Sequence, residues 1–270
     1  MPSWDPTAYL AFADERSRAF RDLLARVGAV APRTVVDLGC GPGHLTAELA
    51  ERWPTATVLG VDSSAQMLQR AAVHAVPGRI AFERADLAGW TPSGPPDVMV
   101  ANAVLHWVPE HLGLLPRWAA QLAPGGWLGV QVPGNFDAPS HALMRRVAQE
   151  PRFRGRLSGV LRGGESVADA VAYADVLAGA GCRVDAWETT YVHVLDPPDE
   201  QGRRRHGADA VLAWVSGTAL RPVLGALDDD PALRDDFVTT YAELLRDAYP
   251  VRAWGTPLTY RRVFVVAQRR

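Results

Sequence analysis

A glycine-rich turn at residues 37–43 constrains the fold of this chain more than any other segment. Its sequence, Asp-Leu-Gly-Cys-Gly-Pro-Gly, follows a short apolar run at 34–38 that is typical of a buried strand. Because glycine lacks a Cβ atom, Gly39, Gly41 and Gly43 allow tight turns and let a ligand approach the backbone closely. A helical pattern follows the turn. Strand, glycine turn and helix in this order open the α/β sheets that bind ligands at the carboxyl ends of their strands.

Strand and helix patterns alternate along the first half of the chain. Helical patterns at 64–71 and 112–122, among others, separate the strand-type runs. This alternation predicts a parallel sheet with right-handed crossovers. Two further runs, 182–195 and 262–268, predict a pair of antiparallel strands at one edge of the sheet. The earlier strand-type runs lie at residues 34–38, 58–62, 80–86, 97–101 and 127–132.

Helical patterns outside this alternation predict additions to the sheet. An amphipathic pattern at 9–27 predicts an N-terminal helix, which we expect to act as a lid. About 65 residues separate the last two strands, far more than a hairpin loop needs, and they carry helical patterns at 208–225 and 231–248. We expect a helical cap there, to which an irregular, Pro-, Gly- and Arg-rich insertion at 134–165 contributes. The expected domains are a lid at 1–30, a core at 31–195 and 259–270, and a cap at 196–258.

Composition limits the class of protein. The 270 residues are 48% hydrophobic with a net charge of -2, which suits a globular core and gives no electrostatic case for nucleic acid. No run has the length and apolarity of a membrane span, and the first ten residues lack the apolar stretch of a signal peptide. We expect a cytoplasmic protein without a membrane partner, with Cys40 and Cys182 reduced. The histidine and cysteine spacing indicates no metal site, and nothing indicates an oligomeric state.

Three aspartates stand where three of the expected strands end. Asp37 closes the first strand, where a negative charge suits a cationic ligand and disfavours a pyrophosphate. Asp62 ends the second strand and can accept hydrogen bonds from both hydroxyls of a ribose, a placement that NAD enzymes share. Asp86 follows the third strand and can accept from an adenine amino group. Because the carboxyl ends of parallel strands meet at one edge of the sheet, we expect these carboxylates to line one ligand site.

These motifs resemble the class I methyltransferases, together with Asn102-Ala103 after the fourth strand and a Pro-Gly-Gly run before the fifth. The resemblance implies a Rossmann-like α/β fold with a seven-stranded, mostly parallel sheet. It also implies S-adenosyl-L-methionine as the cofactor. The cofactor-binding residues that it implies are Asp37, Gly39, Gly41, Gly43, Asp62, Ser63, Met67, Asp86, Leu87, Asn102 and Ala103.

Motifs along nearly the whole chain extend the resemblance to the trans-aconitate 2-methyltransferase family. Among them are Trp4-Asp5-Pro6, Leu105-His106-Trp107-Val108-Pro109, Gln131-Val132-Pro133-Gly134-Asn135, Thr218-Ala219-Leu220-Arg221-Pro222 and Phe264-Val265-Val266-Ala267. Members of that family convert one carboxylate of trans-aconitate to a methyl ester, so the resemblance implies a small polycarboxylate as substrate. Two stretches depart from the family pattern: the loop with Arg203–Arg205 is longer, and Leu258-Thr259-Tyr260 replaces a more apolar stretch.

The cations available to bind such a substrate are limited, because the chain contains no lysine and all 28 Lys and Arg residues are arginine. Arginine forks would therefore hold the non-reacting carboxylates in bidentate pairs. We expect Arg221 and Arg262 to do so. The resemblance implies that the remaining substrate-binding residues are Tyr9, His106, Trp107 and Tyr191.

No catalytic residue is required for a carboxylate substrate, because a carboxyl group with a pKa of roughly 4 is already ionised at neutral pH. His106 either packs against Trp107 or has a chemical role. One alternative function is a natural-product O- or N-methyltransferase in which His106 or His193 is the general base. A second alternative is a regulatory protein that binds the cofactor without catalysis.

Overall fold

Seven strands form one sheet in the computed structural model, which describes residues 13–161, 163 and 167–270. In chain order the strands are β1 (Thr34–Leu38), β2 (Thr57–Asp62), β3 (Ile80–Arg84), β4 (Val98–Asn102), β5 (Trp127–Pro133), β6 (Cys182–Leu195) and β7 (Thr256–Arg269). Their order across the sheet is β3-β2-β1-β4-β5-β7-β6. The predicted seven-stranded sheet is therefore confirmed.

Helices lie between β1 and β2, between β2 and β3 and between β4 and β5, and they occupy the long connections on either side of β6. The described helices are α1 (Ala13–Arg26), α2 (His44–Arg52), α3 (Ala65–Ala71), α4 (Leu114–Gln121), α5 (Pro139–Ala148), α6 (Pro151–Leu157), α7 (Ala170–Gly179), α8 (Ala210–Ser216), α9 (Arg221–Ala226) and α10 (Pro231–Ala248). Short 3-10 turns include Leu105–Trp107 and His111–Gly113.

The pairing of the strands determines where a ligand can bind. β1 lies between β2 and β4 and is parallel to both, while β5 pairs antiparallel with β7. The order of the strands reverses at β1, because β2 lies on one side of it and β4 on the other. In open α/β sheets the crevice beyond the carboxyl ends of the strands at such a reversal is the usual ligand site.

The described residues divide into two compact units. The first unit contains residues 14–134, 167–189 and 262–270. Its core is built on apolar strand residues such as Met99 and Leu128, which pack with Trp118 of α4 and Leu177 of α7. Helix α1 belongs to this unit from Asp14 onward, and its Phe20 and Leu23 are fully buried. Burying each such side chain contributes about 1.5–3 kcal/mol, so hydrophobic packing holds α1 in the unit.

The second unit contains Ala13 and residues 135–161, 163 and 190–261 and has a core of its own. Phe153 of α6 and Phe237 of α10 are fully buried and meet edge to face, with ring centroids 5.1 Å apart. Tyr241 of α10 and Tyr249, which directly follows α10, both form hydrogen bonds with Ser140 of α5. The hydroxyl of Tyr241 donates to the carbonyl oxygen of Ser140 at 2.7 Å, and the hydroxyl of Tyr249 accepts from the amide of Ser140 at 3.0 Å.

Two expectations about these segments are wrong. The segment 134–165 contains α5 and α6 and is not an irregular insertion. Each of these helices begins with a proline, whose fixed φ suits the first helical position, so the proline content marks helix starts there. The last strand is also longer than the expected run at 262–268, since β7 begins at Thr256.

The limits of the two units differ from the expected limits of the domains. The units divide at 189/190 and 261/262, inside β6 and β7, whereas the sequence suggested the ends of those strands. The assignment of a lid, a core and a cap stays a prediction. The part of the expected lid that precedes α1, which includes Tyr9, lies outside the described residues.

Candidate functional site

The glycine turn after β1 is held in a left-handed conformation. Gly39, Gly41 and Gly43 have φ angles of 77°, 55° and 83°, which glycine adopts without steric cost. The amides of Gly39 and Cys40 both donate to the carbonyl oxygen of Val61, at 2.7 and 3.0 Å. These hydrogen bonds fix the turn against the end of β2.

The three glycines have different surroundings. A Cβ atom at Gly39 would lie 2.3 Å from Cγ2 of Val104, and one at Gly43 would lie 2.8 Å from Cβ of Ala71. A Cβ atom at Gly41 would have no atom of the described residues within 4 Å, apart from its two neighbours in the chain. Gly39 and Gly43 therefore permit close packing inside the protein, while Gly41 faces open space that a ligand can enter.

Asp62 at the end of β2 accepts hydrogen bonds at both carboxylate oxygens. Its Oδ2 accepts from the amide of Gly41 at 2.9 Å, and its Oδ1 accepts from the amide of Ser64 at 2.8 Å. Each carboxylate oxygen has a further lone pair, so both can also accept from two vicinal hydroxyl groups. The hydroxyl oxygen of Ser64 accepts from the amide of Met67 and caps α3.

Asp37 is buried, with 3% of its surface exposed, and its Oδ2 accepts from the hydroxyl of Thr46 at 2.6 Å. Burial raises the pKa of Asp37 to about 7, against the opposing effect of the Thr46 hydrogen bond, and the negative charge of Asp62 raises it further. Asp37 therefore changes its protonation state near neutral pH. A cation bound nearby would favour the ionised form.

The expected adenine and ribose contacts differ in exposure. Asp86 lies two residues beyond β3 and is exposed, and its Oδ1 accepts from the amide of Ala88 at 3.0 Å. Leu87 and Met67 are buried, at 5% and 6% exposure. Ser63 is half-buried beside Asp62. Asp86 can therefore offer its second carboxylate oxygen to a ligand, with the apolar side chain of Leu87 next to it in the sequence.

The carboxyl end of β4 carries a polar atom without a partner and a strained residue. Oδ1 of Asn102 is buried and has no hydrogen-bond partner within the part of the chain that the structure describes. Ala103 has a φ of 52°, which is uncommon for a residue other than glycine. Its amide donates to the carbonyl oxygen of Gln131 at 2.9 Å, which holds the strained conformation.

His106 and Trp107 lie in the 3-10 turn that follows β4. Both are half-buried, and their ring centroids are 4.9 Å apart with planes tilted by 47°. The imidazole therefore packs against the indole, which is the first of the two roles expected for His106. Whether His106 also acts on a substrate stays a prediction.

Arg262 near the middle of β7 is buried, with 5% of its surface exposed. Its Nη1 donates to Oε1 of Gln131, which is itself fully buried, at 3.4 Å. Nε2 of Gln131 has no hydrogen-bond partner among residues 13–161, 163 and 167–270. Arg262 was predicted as a site residue, whereas Gln131 was named only as part of a family motif. The available signal was a lone polar residue within the apolar run 127–132.

Tyr191 and Arg221 belong to the second unit. Tyr191 is buried and stacks on His193 at 6.0 Å between ring centroids, and His193 stacks on Trp214 at 5.0 Å. Arg221 is the first residue of α9 and is half-buried, and its amide donates to the carbonyl oxygen of Thr218. The described residues contain no group of three or more His, Cys, Asp or Glu residues that could hold a metal ion. In the same residues no helix has the length and apolarity to span a membrane.

Comparison with known proteins identifies the family. The profile of a family described as "Methyltransferase domain" matches residues 12–186. A trans-aconitate 2-methyltransferase of Streptomyces coelicolor is 53% identical over 99% of this chain and 87% of its own length. One of Streptomyces avermitilis is 49% identical over 100% of this chain and 98% of its own. The chain belongs to the trans-aconitate 2-methyltransferase family.

Membership of this family makes the protein a methyltransferase with S-adenosyl-L-methionine as its cofactor. Solved structures agree on the fold. The YcgJ protein of Bacillus subtilis has a TM-score of 0.59 and 12% identity, covering 94% of this chain and 98% of its own. A Haloferax volcanii putative methyltransferase, in complex with the activator Trm112, has a TM-score of 0.54 and 18% identity over 98% of this chain and 94% of its own. At these identities the likeness supports the Rossmann-like methyltransferase fold alone.

Two glycine substitutions in the methyltransferase form a matched pair. Gly41→Ala costs about 1–2 kcal/mol of stability because alanine disfavours the left-handed backbone, so the variant should still fold. Its methyl group would occupy the open space, and we therefore expect it to bind the cofactor at least about ten-fold more weakly. Gly39→Ala forces a methyl group against Val104 and should lower the melting temperature more. Calorimetric titration and thermal unfolding measure both effects. Unchanged cofactor affinity in Gly41→Ala would show that no ligand occupies the open space.

The pKa of Asp37 predicts a pH dependence of stability. Between about pH 4 and pH 7 the folded protein keeps a proton on Asp37 that the unfolded chain has lost, so the free energy of unfolding should fall as pH rises. The total loss is up to about 4 kcal/mol, since each pKa unit corresponds to about 1.4 kcal/mol. Asp37→Asn should lack this component. The difference between the two proteins in urea unfolding, measured at several pH values, isolates it, and a difference independent of pH would contradict the raised pKa.

Proposed function

We propose that the enzyme transfers a methyl group from S-adenosyl-L-methionine to one carboxylate of trans-aconitate, forming a monomethyl ester and S-adenosyl-L-homocysteine. The observation that carries this proposal is the extent of the similarity. The general methyltransferase profile ends at residue 186, whereas relatives named for trans-aconitate match 98–100% of the chain at about half identity. The similarity therefore includes most of the second unit, where substrate-specific residues are expected.

The residues at the carboxyl ends of β1, β2 and β4 fit the cofactor. The open space at Gly41 accepts a group that approaches the backbone, the two oxygens of Asp62 suit a ribose diol, and buried Oδ1 of Asn102 needs a donor. When bound, the cofactor supplies an electrophilic methyl group on a positively charged sulfur. Asp37 would ionise beside this cation, and Asp86 would accept from the adenine. The other proposed contacts are Gly39, Gly43, Ser63, Met67, Leu87 and Ala103.

The reaction at the carboxylate needs no general base. A carboxyl group with a pKa of roughly 4 is ionised at neutral pH and its oxygen is already a nucleophile. The protein then has to align this oxygen with the methyl group and to exclude water. His106 and Trp107 would line the substrate without transferring a proton, as would Tyr9 and Tyr191.

Arginine would recognise the carboxylates that do not react. Arg262 is buried, and a buried guanidinium is stabilised by an anion in contact with it. Its planar fork can pair with both oxygens of one carboxylate. We propose the same role for Arg221 of the second unit. Location in the cytoplasm and the absence of nucleic-acid and membrane partners stay predictions.

An assay with labelled cofactor tests the proposed function. We expect the enzyme to label trans-aconitate, and the label to be released as methanol by mild base, because esters hydrolyse where ethers and methylamines do not. At saturating substrate and cofactor the rate should be flat from about pH 6 to pH 9, since the carboxylate stays ionised. A histidine base would instead cause a loss of rate below about pH 6.5. Turnover only with a phenol or an amine would refute the proposal.

Arg262→Gln and Arg221→Gln should each raise the KM for trans-aconitate and leave the Kd of the cofactor unchanged. Removing a charged partner from a buried carboxylate typically costs 2–5 kcal/mol, so we expect a rise of roughly 30-fold or more. Arg183→Gln, on an exposed part of β6, is the matched control and should have the wild-type KM. Melting temperatures on the same preparations separate binding from folding. Wild-type KM values in both folded variants would exclude the arginine pair as substrate ligands.

A further inference from the structure

Three polar side chains lie on one face of the sheet, on three neighbouring strands. Asn102 of β4 and Gln131 of β5 are paired in register, and Gln131 is also paired with Phe264 of β7. Paired residues of adjacent strands point to the same face, and so do residues two apart along one strand. Arg262 precedes Phe264 by two residues. Asn102, Gln131 and Arg262 therefore form a polar row across β4, β5 and β7.

Gln131 lies between the other two members of this row, and its hydrogen bonding is incomplete. It is fully buried, and its Oε1 accepts from Nη1 of Arg262. Its Nε2 carries two N–H donors and has no partner in the described ranges. The reverse orientation of the amide would direct these donors at a guanidinium, which cannot accept a hydrogen bond. The contact with Arg262 thus determines which atom is left without a partner.

The chemistry of the missing partner follows from these neighbours. Buried polar atoms in native proteins are nearly always hydrogen-bonded, so a buried amide nitrogen without a partner calls for a ligand or a water molecule. Nε2 of Gln131 needs an acceptor, and the guanidinium beside it favours a negatively charged one. A carboxylate meets both requirements, because it has two acceptor oxygens and can contact both side chains.

We propose that Gln131 is a specificity-determining residue: its Nε2 donates to a non-reacting carboxylate of the substrate, while its Oε1 orients Arg262 toward the same carboxylate. This inference rests on the proposed function, since it assigns the proposed polycarboxylate to particular side chains. Gln131 would select substrates that carry this carboxylate over analogues that lack it.

Two substitutions at this position separate the hydrogen bond from the charge. Gln131→Leu removes both polar atoms at similar size, and we expect the KM for trans-aconitate to rise about ten-fold or more, as for a lost hydrogen bond to a charged group. Gln131→Glu supplies a carboxylate that would pair with Arg262 and repel the substrate, so its effect should be larger. The Kd of the cofactor, measured by calorimetry, should be unchanged in both.

A comparison of substrates distinguishes contact from a merely structural effect. Each protein is assayed with trans-aconitate and with a panel of unsaturated dicarboxylates, each of which lacks one of its carboxylates. If Gln131 contacts the missing carboxylate, the wild type prefers the tricarboxylate and Gln131→Leu loses most of that preference, as in a double-mutant cycle. The panel contains each dicarboxylate obtained by deleting one carboxylate, so at least one must report the contact. A structural defect would raise the KM for all of them alike.

Gln121→Leu is the matched control. Gln121 ends α4 and also has a buried amide atom, Oε1, without a partner in the described residues, and no strand of the polar row contains it. We expect its KM values and preference to equal those of the wild type. Melting temperatures show which variants are folded, and Gln131→Glu keeps the test available if Gln131→Leu does not fold.

The possible results separate this inference from the proposed function. If the wild type does not methylate trans-aconitate, the proposed function fails and this inference fails with it. If the wild type does so and folded Gln131 variants keep its preference for every tricarboxylate and dicarboxylate pair, only the role of Gln131 is wrong. In that case a water molecule satisfies Nε2. Loss of preference in both Gln131 variants, with Gln121→Leu unchanged, supports the assignment.

Discussion

The hydrogen bonds that join the glycine turn to the end of β2 are the constraint on which the candidate site depends. The carbonyl of Val61 accepts from the amides of Gly39 and Cys40, and the carboxylate of Asp62 accepts from the amide of Gly41. These bonds are possible because β1 and β2 are parallel and end at the same edge of the sheet. They fix the turn so that Gly41 faces open space, and they orient the Asp62 oxygens before any ligand arrives. Preorganised groups of this kind lose little freedom on binding.

A buried acid and a buried guanidinium give the first unit its chemical character. Burial raises the pKa of Asp37 to about 7, so the unit holds an acid that a cation would ionise. Arg262 is a buried guanidinium that stays charged throughout the physiological range. In the proposed reaction, a methyl donor with a cationic sulfur and a substrate with several carboxylates would supply the complementary charges. Each ligand would place a charge of the opposite sign beside one of these buried groups.

The sequence predicted the parts of the site that depend on local pattern. Strands β1 to β5 follow apolar runs bounded by turn residues. Asp37, Asp62 and Asp86 were recognisable because each lies at or near the carboxyl end of such a run, where ligands of parallel sheets bind. Gln131 was missed as a site residue because a single polar residue in an apolar run reads as part of a buried strand, and its missing partner is visible only in three dimensions. Helices α5 and α6 were missed because proline suits a helix start as well as a loop. The unit limits were missed because they fall inside β6 and β7, where the chain pattern is continuous.

The placement of donors on a non-reacting carboxylate has a physical reason. Methyl transfer removes the negative charge of the carboxylate that reacts, so a guanidinium paired with that group would bind the ground state better than the transition state. Such an interaction raises the barrier, because only interactions that strengthen toward the transition state accelerate a reaction. Donors on a carboxylate that keeps its charge hold the substrate equally well throughout and leave the reacting oxygen nucleophilic. In these proposed roles Arg262 and Gln131 would determine which acid binds and how it is oriented, and the rate of transfer would depend on the alignment that follows from that orientation.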